Sequence, residues 1–105
     1  LFAQVGCADC HVLNLPGYSD YLLHDVAPNP LVLVEQDPGV AAGEFRTSPL
    51  WGIQYSSPYL HDGSAKTIFD AIVKGHFGEA TAAKDNFLSL SPEDQERLIS
   101  FVEGL

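Results

Sequence analysis

Cys7-Ala8-Asp9-Cys10-His11 holds both cysteines of the chain. Two thiols with two residues between them, and a histidine directly after the second, meet the geometry of covalent c-type haem attachment. In that chemistry the sulfurs of Cys7 and Cys10 add across the two vinyl groups of a porphyrin, and the tether brings the iron to His11 as its proximal ligand. The same residues also admit a redox disulfide beside an incidental histidine, or a zinc site completed by distant histidines. Zinc is the weaker of these, because no second cysteine pair exists to close the cage.

The elements that must position this motif follow from punctuation and periodicity. Leu1 to Cys7 is apolar and carries Gly6 near its end, which predicts a short helix burying Phe2 and Val5. Asn14 and Leu15-Pro16-Gly17 make a loop of Val12 to Pro16, after which Ser19 or Asp20 can cap a short helix over Tyr18 to Asp25. Pro28, Pro30, Pro38, Gly39 and Gly43 predict a long surface excursion from Ala27 to Gly43, with Leu31 to Val34 as a candidate extended segment.

Phe45 to Gly52 and Ser57 to Gly63 are dense in aromatics and proline, which make a rigid apolar wall with polar tips. Arg46 and Trp51 are candidates to satisfy haem propionates, since a guanidinium forks onto a carboxylate; the bland alternatives are a solvated arginine and a core tryptophan. Thr67-Ile68-Phe69-Asp70 reads as a capping box opening a helix to about Lys74, so that Gly75 ends it and His76 sits at its terminus. A further short helix is expected from Glu79 to Phe87. Ser91-Pro92-Glu93-Asp94 starts a last helix whose Leu98, Phe101, Val102 and Leu105 form one stripe. Such first and last helices suit an arrangement in which they cross over one haem edge.

At 105 residues the chain predicts one domain, residues 1–105, with a small core that a buried haem would enlarge. Hydrophobic residues at 46% against 18% charged place it among ordered globular chains. No apolar run approaches the length of a membrane span, so none is expected. The chain opens at Leu1 without a basic-then-apolar leader, which suits either a removed signal peptide or a piece of a longer protein. A formal net charge of −9 disfavours nucleic acid and anionic lipid as partners and favours a basic docking surface on a redox partner.

The absence of methionine decides the ligand chemistry. A His/Met iron is impossible, so the sixth position goes to another histidine, to a tyrosine, or stays open. The histidines left for it are His24, His61 and His76, with His24 also readable as a structural histidine near Asp25.

Gly6-Cys7-Ala8-Asp9-Cys10-His11-Val12, Tyr18-Ser19-Asp20 through His24-Asp25, Phe45-Arg46-Thr47 with Pro49-Leu50-Trp51-Gly52, Tyr59-Leu60-His61-Asp62-Gly63 and Gly78-Glu79-Ala80 together resemble one family. That family is the C-terminal haem domain of the di-haem cytochrome c peroxidase superfamily, in the branch of di-haem oxidoreductases sometimes labelled thiol oxidoreductases. The resemblance implies an all-α, class I cytochrome c-like fold with long loops around one covalently bound haem c, and a periplasmic or extracellular home. It also implies His76 as the second axial ligand beside His11, since relatives place a distal methionine just after the helix that follows the Tyr-x-His-Asp-Gly block. His61 would then bind a propionate or neighbouring backbone. Three departures stand out: one haem motif in place of two, Val26 where relatives often carry methionine, and Gly75-His76-Phe77 shifted by a residue.

The resulting expectation is an electron carrier with a bis-histidine haem, no catalytic residue, and a redox protein or another haem domain as partner. The alternative is the haem domain of a peroxidase-like di-haem oxidoreductase whose second haem lies outside this chain, with His61, Asp62 and Glu79 as available acids and bases. A third reading is a structural piece of a multihaem assembly.

Overall fold

The computed structural model describes residues 1–27, 44–60 and 62–105. The expected excursion to Gly43, its segment Leu31 to Val34, and His61 lie outside the described residues. In chain order the elements are α1 (Phe2–Val5), β1 (Leu23–Asp25), β2 (Glu44–Arg46), α2 (Ile68–Gly75), α3 (Thr81–Leu88) and α4 (Pro92–Glu103), joined by short 3₁₀ turns. No helix among the described residues is long and apolar enough to cross a membrane.

The helix ends follow their local chemistry. Gly6 closes α1 in the left-handed conformation at φ 108°, where a side chain is strained. The hydroxyl of Thr67 accepts from the Asp70 N–H at 3.1 Å at the start of α2, and that of Ser91 accepts from the Asp94 N–H at 3.2 Å at the start of α4. α3 begins at Thr81, two residues after the expected start, because Gly78–Ala80 forms a 3₁₀ turn first.

Phe2 and Val5 of α1 meet Leu50, Ile68, Phe87, Leu98 and Val102 in one core cluster. Each such side chain contributes about 1.5–3 kcal/mol of burial. The first and last helices touch as expected, with the Phe2 and Phe101 rings 5.3 Å apart. The side-chain amide of Asn86 donates to the Val5 carbonyl at 3.1 Å and joins α1 to α3. The α4 stripe is narrower than its periodicity suggests: Leu98 and Val102 are buried, while Phe101 stays 42% exposed and covers Phe2 from the side.

The all-α expectation is corrected by β1 and β2, which pair antiparallel with Leu23 opposite Arg46, His24 opposite Phe45 and Asp25 opposite Glu44. The helix expected over Tyr18 to Asp25 falls for the same reason, since Leu23–Asp25 is β1. Ser19 and Asp20 do accept backbone N–H groups, but from two residues ahead: Tyr21 N–H to Ser19 Oγ at 2.9 Å and Leu22 N–H to Asp20 Oδ1 at 2.9 Å. Such turns compete with a helix for the same donors. Tyr21 then lies at φ 57°, outside helical space, and delivers the chain to an extended path. The fully buried Ser19 hydroxyl donates to the Thr47 carbonyl at 2.7 Å, which fastens that path to the strand returning from elsewhere in the chain.

Gly78 gives a test of this packing. It sits at φ +51°, and an added Cβ would lie 2.2 Å from the Asp25 carbonyl oxygen. Gly78→Ala is expected to lower the unfolding free energy by about 2 kcal/mol or more in a denaturant titration. Gly104→Ala, with no Cβ contact closer than 3.5 Å, is expected to leave the midpoint almost unchanged.

Candidate functional site

Cys7 and Cys10 lie at the start and end of the 3₁₀ turn that follows α1, both partly buried and both free thiols. Burial pushes the Cys7 thiol up to about 11 from an ordinary 9.0, with the Asp9 carboxylate adding to it. Burial also raises Cys10, helped by the negative charges of Asp20 and Glu79. Redox-active cysteines need the opposite shift, toward the thiolate, so a working thiol–disulfide pair finds no support here.

His11 follows on the same turn, its backbone N–H bonded to the Cys7 carbonyl at 3.0 Å. Its Nδ1 lies 3.0 Å from the carbonyl oxygen of Tyr18. A carbonyl can only accept, so Nδ1 carries the proton and Nε2 keeps its lone pair. Tyr18 presents that carbonyl from the left-handed region at φ 57°, a conformation costing about 1–3 kcal/mol in a residue other than glycine. Burial holds the imidazole below its ordinary 6.5, only partly opposed by the Tyr18 carbonyl, so the ring is neutral at physiological pH.

His76 repeats the arrangement from the other end of the chain. It caps α2 at its C-terminus, where its Nδ1 lies 3.0 Å from the Ala71 carbonyl oxygen. Burial lowers its pKa as well, against the pull of the Ala71 and Ile72 carbonyls and with the Lys84 charge assisting. Lys84 also stands 3.8 Å over the Phe77 ring and packs the residue after His76 in place. The two imidazoles are near enough that a charge on His76 disfavours one on His11.

These residues fit a haem iron. Two neutral imidazoles, each oriented at Nδ1 by backbone, are the ligating form of histidine and have the outer bonds that steer a ligand ring. Among the described residues no deeply buried side-chain nitrogen or oxygen lacks a partner, so neither ring has an unbonded nitrogen sealed away. Cys7, Cys10, His11 and His76 could therefore hold the group; bound there, it would supply one-electron chemistry at iron.

Arg46 and Trp51 are the other described residues expected at the site. Arg46 is exposed at the end of β2, with one of its nitrogens donating to the Tyr21 carbonyl. Trp51 is 62% exposed beside the turn Ile53–Tyr55.

One cluster was not foreseen in its partners. His24 Nε2 lies 2.8 Å from Asp20 Oδ2, and His24 Nδ1 lies 3.2 Å from Glu79 Oε1. Glu79 also accepts the Asp25 N–H through Oε2 at 2.6 Å. His24 is thus a satisfied structural histidine, as one of its readings had it, but its partners are Asp20 and Glu79 in place of Asp25. Cys10 Sγ joins Asp20 and His24 within 4.8 Å. Glu79 lies 55 residues from His24 in sequence, so no local signal could pair them.

The family model described as "Di-haem oxidoreductase, putative peroxidase" matches residues 7–105. The chain is 30% identical over 114 aligned positions to cytochrome c551 peroxidase of Pseudomonas aeruginosa, covering 99% of this chain and 31% of that protein. It is 33% identical over 67 positions to cytochrome-c peroxidase IdrP1 of Denitromonas iodatirespirans, covering 60% of this chain and 18% of that protein. The chain therefore spans under a third of these relatives. No solved structure matches.

The Asp20–His24–Glu79 cluster carries a pH signature. Bonds from Asp20 and then Glu79 raise His24 above its ordinary 6.5. The Asp25 N–H and then His24 lower Glu79 from 4.5, while at Asp20 burial pushes upward but is outweighed by the Leu22 N–H, Thr47 and His24, leaving it below 3.8. The raised His24 stabilises fully below 6.5 and loses that contribution as pH climbs through its folded value. The lowered carboxylates stabilise above their ordinary values and lose it as pH falls through the folded ones. His24→Gln should lower the thermal midpoint more near pH 6 than near pH 8 relative to the parent, because the opposite contributions of the lowered His11 and His76 are common to both proteins.

Proposed function

We propose that this chain, which belongs to the di-haem oxidoreductase family and is a haem-containing, cytochrome c peroxidase-like domain, is the electron-relay part of a larger oxidoreductase. In this reading Cys7 and Cys10 hold one haem c through thioethers, and His11 and His76 are its two axial ligands. The observation that carries it is the pair of neutral, partly buried imidazoles, each turned by a backbone carbonyl so that Nε2 is left for a metal. Two histidines close both faces of an iron and, compared with His/Met, lower its reduction potential. A closed, low-potential site passes electrons and resists binding peroxide, so no residue of this chain is given a catalytic role.

Arg46, Trp51 and His61 are kept as propionate partners. Arg46 spends one donor on the Tyr21 carbonyl and has the rest of its guanidinium for a carboxylate. The relatives named as peroxidases are about three and about six times longer than the aligned part, which leaves room for the second haem implied by the family description. That haem, and any bond-breaking chemistry, belong in this reading to sequence outside the chain. The partner is another haem domain or a redox protein with a basic surface that meets the net charge of −9, with no nucleic acid and no membrane span involved. Thioether haem attachment outside the cytoplasm makes the compartment periplasmic or extracellular.

The reduced holoprotein should give a c-type pyridine haemochrome and a low-spin spectrum without the near-infrared band of sulfur ligation. His76→Ala should convert it to a high-spin form that binds carbon monoxide rapidly. An unchanged spectrum in that variant would remove His76 from the iron. Electron transfer to a cationic partner should slow as ionic strength rises, because the attraction is screened over about 10 Å at 0.1 M salt.

A further inference from the structure

Three contacts dock the segment after His76 onto β1 and the residue that follows it. The Phe77 N–H donates to the Val26 carbonyl at 3.1 Å. Gly78 packs its backbone so closely on the Asp25 carbonyl that a Cβ there would stand 2.2 Å from that oxygen. The Asp25 N–H donates to Glu79 Oε2 at 2.6 Å. The first two are set by backbone alone, but the third comes from a side chain, and the other oxygen of the same carboxylate holds His24.

The line of bonds continues past His24. Its Nε2 meets Asp20 at 2.8 Å, and the backbone N–H of Asp20 donates to the carbonyl of Cys10 at 2.9 Å. Cys10 directly precedes His11. A strap of side chains and backbone therefore runs from the segment carrying one imidazole to the segment carrying the other: Cys10 carbonyl, Asp20, His24, Glu79, then three residues back to His76.

We infer that Glu79 is a positioning residue for His76, acting through His24 and Asp25 to tie the α2 terminus to β1 and, through Asp20, to the segment that carries His11. This rests on the reading of His76 as a ligand. Glu79 is suited to the task because its carboxylate accepts from two sites of β1 at once, and each bond restrains a different direction of movement. The side chain is 56% exposed, so its loss removes the strap without opening a cavity in the core. With the strap cut, α2 keeps its Thr67 cap and its packing through Ile68, and the segment at His76 keeps the bond to Ala71, the Lys84 contact on Phe77 and the Phe77 and Gly78 contacts, but loses its side-chain tie to β1.

The test uses holoprotein with haem attached. Glu79→Ala should show a high-spin component absent from the parent and bind carbon monoxide roughly fivefold faster in the reduced state, the scale set by one lost hydrogen bond. Added imidazole should restore its low-spin spectrum. Glu79→Gln, whose amide oxygen still accepts the Asp25 N–H, should fall between the two. His24→Gln cuts the same strap from the other side and should reproduce the change if Glu79→Ala does not take up haem. Spin state and carbon monoxide rate equal to the parent in Glu79→Ala, or in His24→Gln where that variant stands in, would overturn the inference. If His76→Ala turns high-spin while those variants do not, only the strap fails. An unchanged spectrum in His76→Ala would bring down the ligand reading and the strap with it.

Discussion

An oxygen that can only accept hydrogen bonds decides which nitrogen of an imidazole keeps its lone pair, and two such oxygens govern this chain. The carbonyls of Tyr18 and Ala71 each take the Nδ1 proton of a partly buried histidine, His11 and His76. Burial then keeps both rings neutral, since a charged imidazole would lose more hydration than the carbonyls return. A neutral imidazole of this tautomer is the form in which histidine ligates a metal. The strained φ of 57° at Tyr18 is a stability cost concentrated where that carbonyl must point.

The rest of the fold serves these two orientations. The core of Phe2, Val5, Phe87, Leu98 and Val102 seats α1, and with it the turn that bears Cys7, Cys10 and His11. Ile68 joins the same core at the start of α2, which ends at His76. Between these anchors the small β1–β2 sheet carries the polar connections, through Ser19 to Thr47 on one side and His24 to Glu79 on the other. Sequence blocks far apart in the chain converge there: Tyr18 to Asp20, His24-Asp25, Arg46-Thr47 and Gly78 to Ala80. Their resemblance to one family and their meeting in space describe the same cluster.

Membership of the di-haem oxidoreductase family sets the chemistry at the level of haem and redox. The chain spans 18% and 31% of the two curated relatives. A net charge of −9 sets up a negative long-range field, independent of fold.

Local chemistry was legible in the sequence. The spacing of Cys7, Cys10 and His11, the caps at Thr67 and Ser91, the stop at Gly75 that puts His76 on a helix end, and the absence of methionine all follow from residues a few positions apart. Ser19 and Asp20 show where that logic ends: both are good helix caps, and both make tighter turns instead, because Thr47 and His24 offer them bonds that local sequence does not contain. The antiparallel pairing of Leu23–Asp25 with Glu44–Arg46 and the 55-residue link from His24 to Glu79 are likewise non-local. Short-range propensities act between neighbours, so they determined the motif and the helix ends. Only the packed chain decided which carbonyl each histidine faces and that the Glu79 carboxylate meets His24 and Asp25.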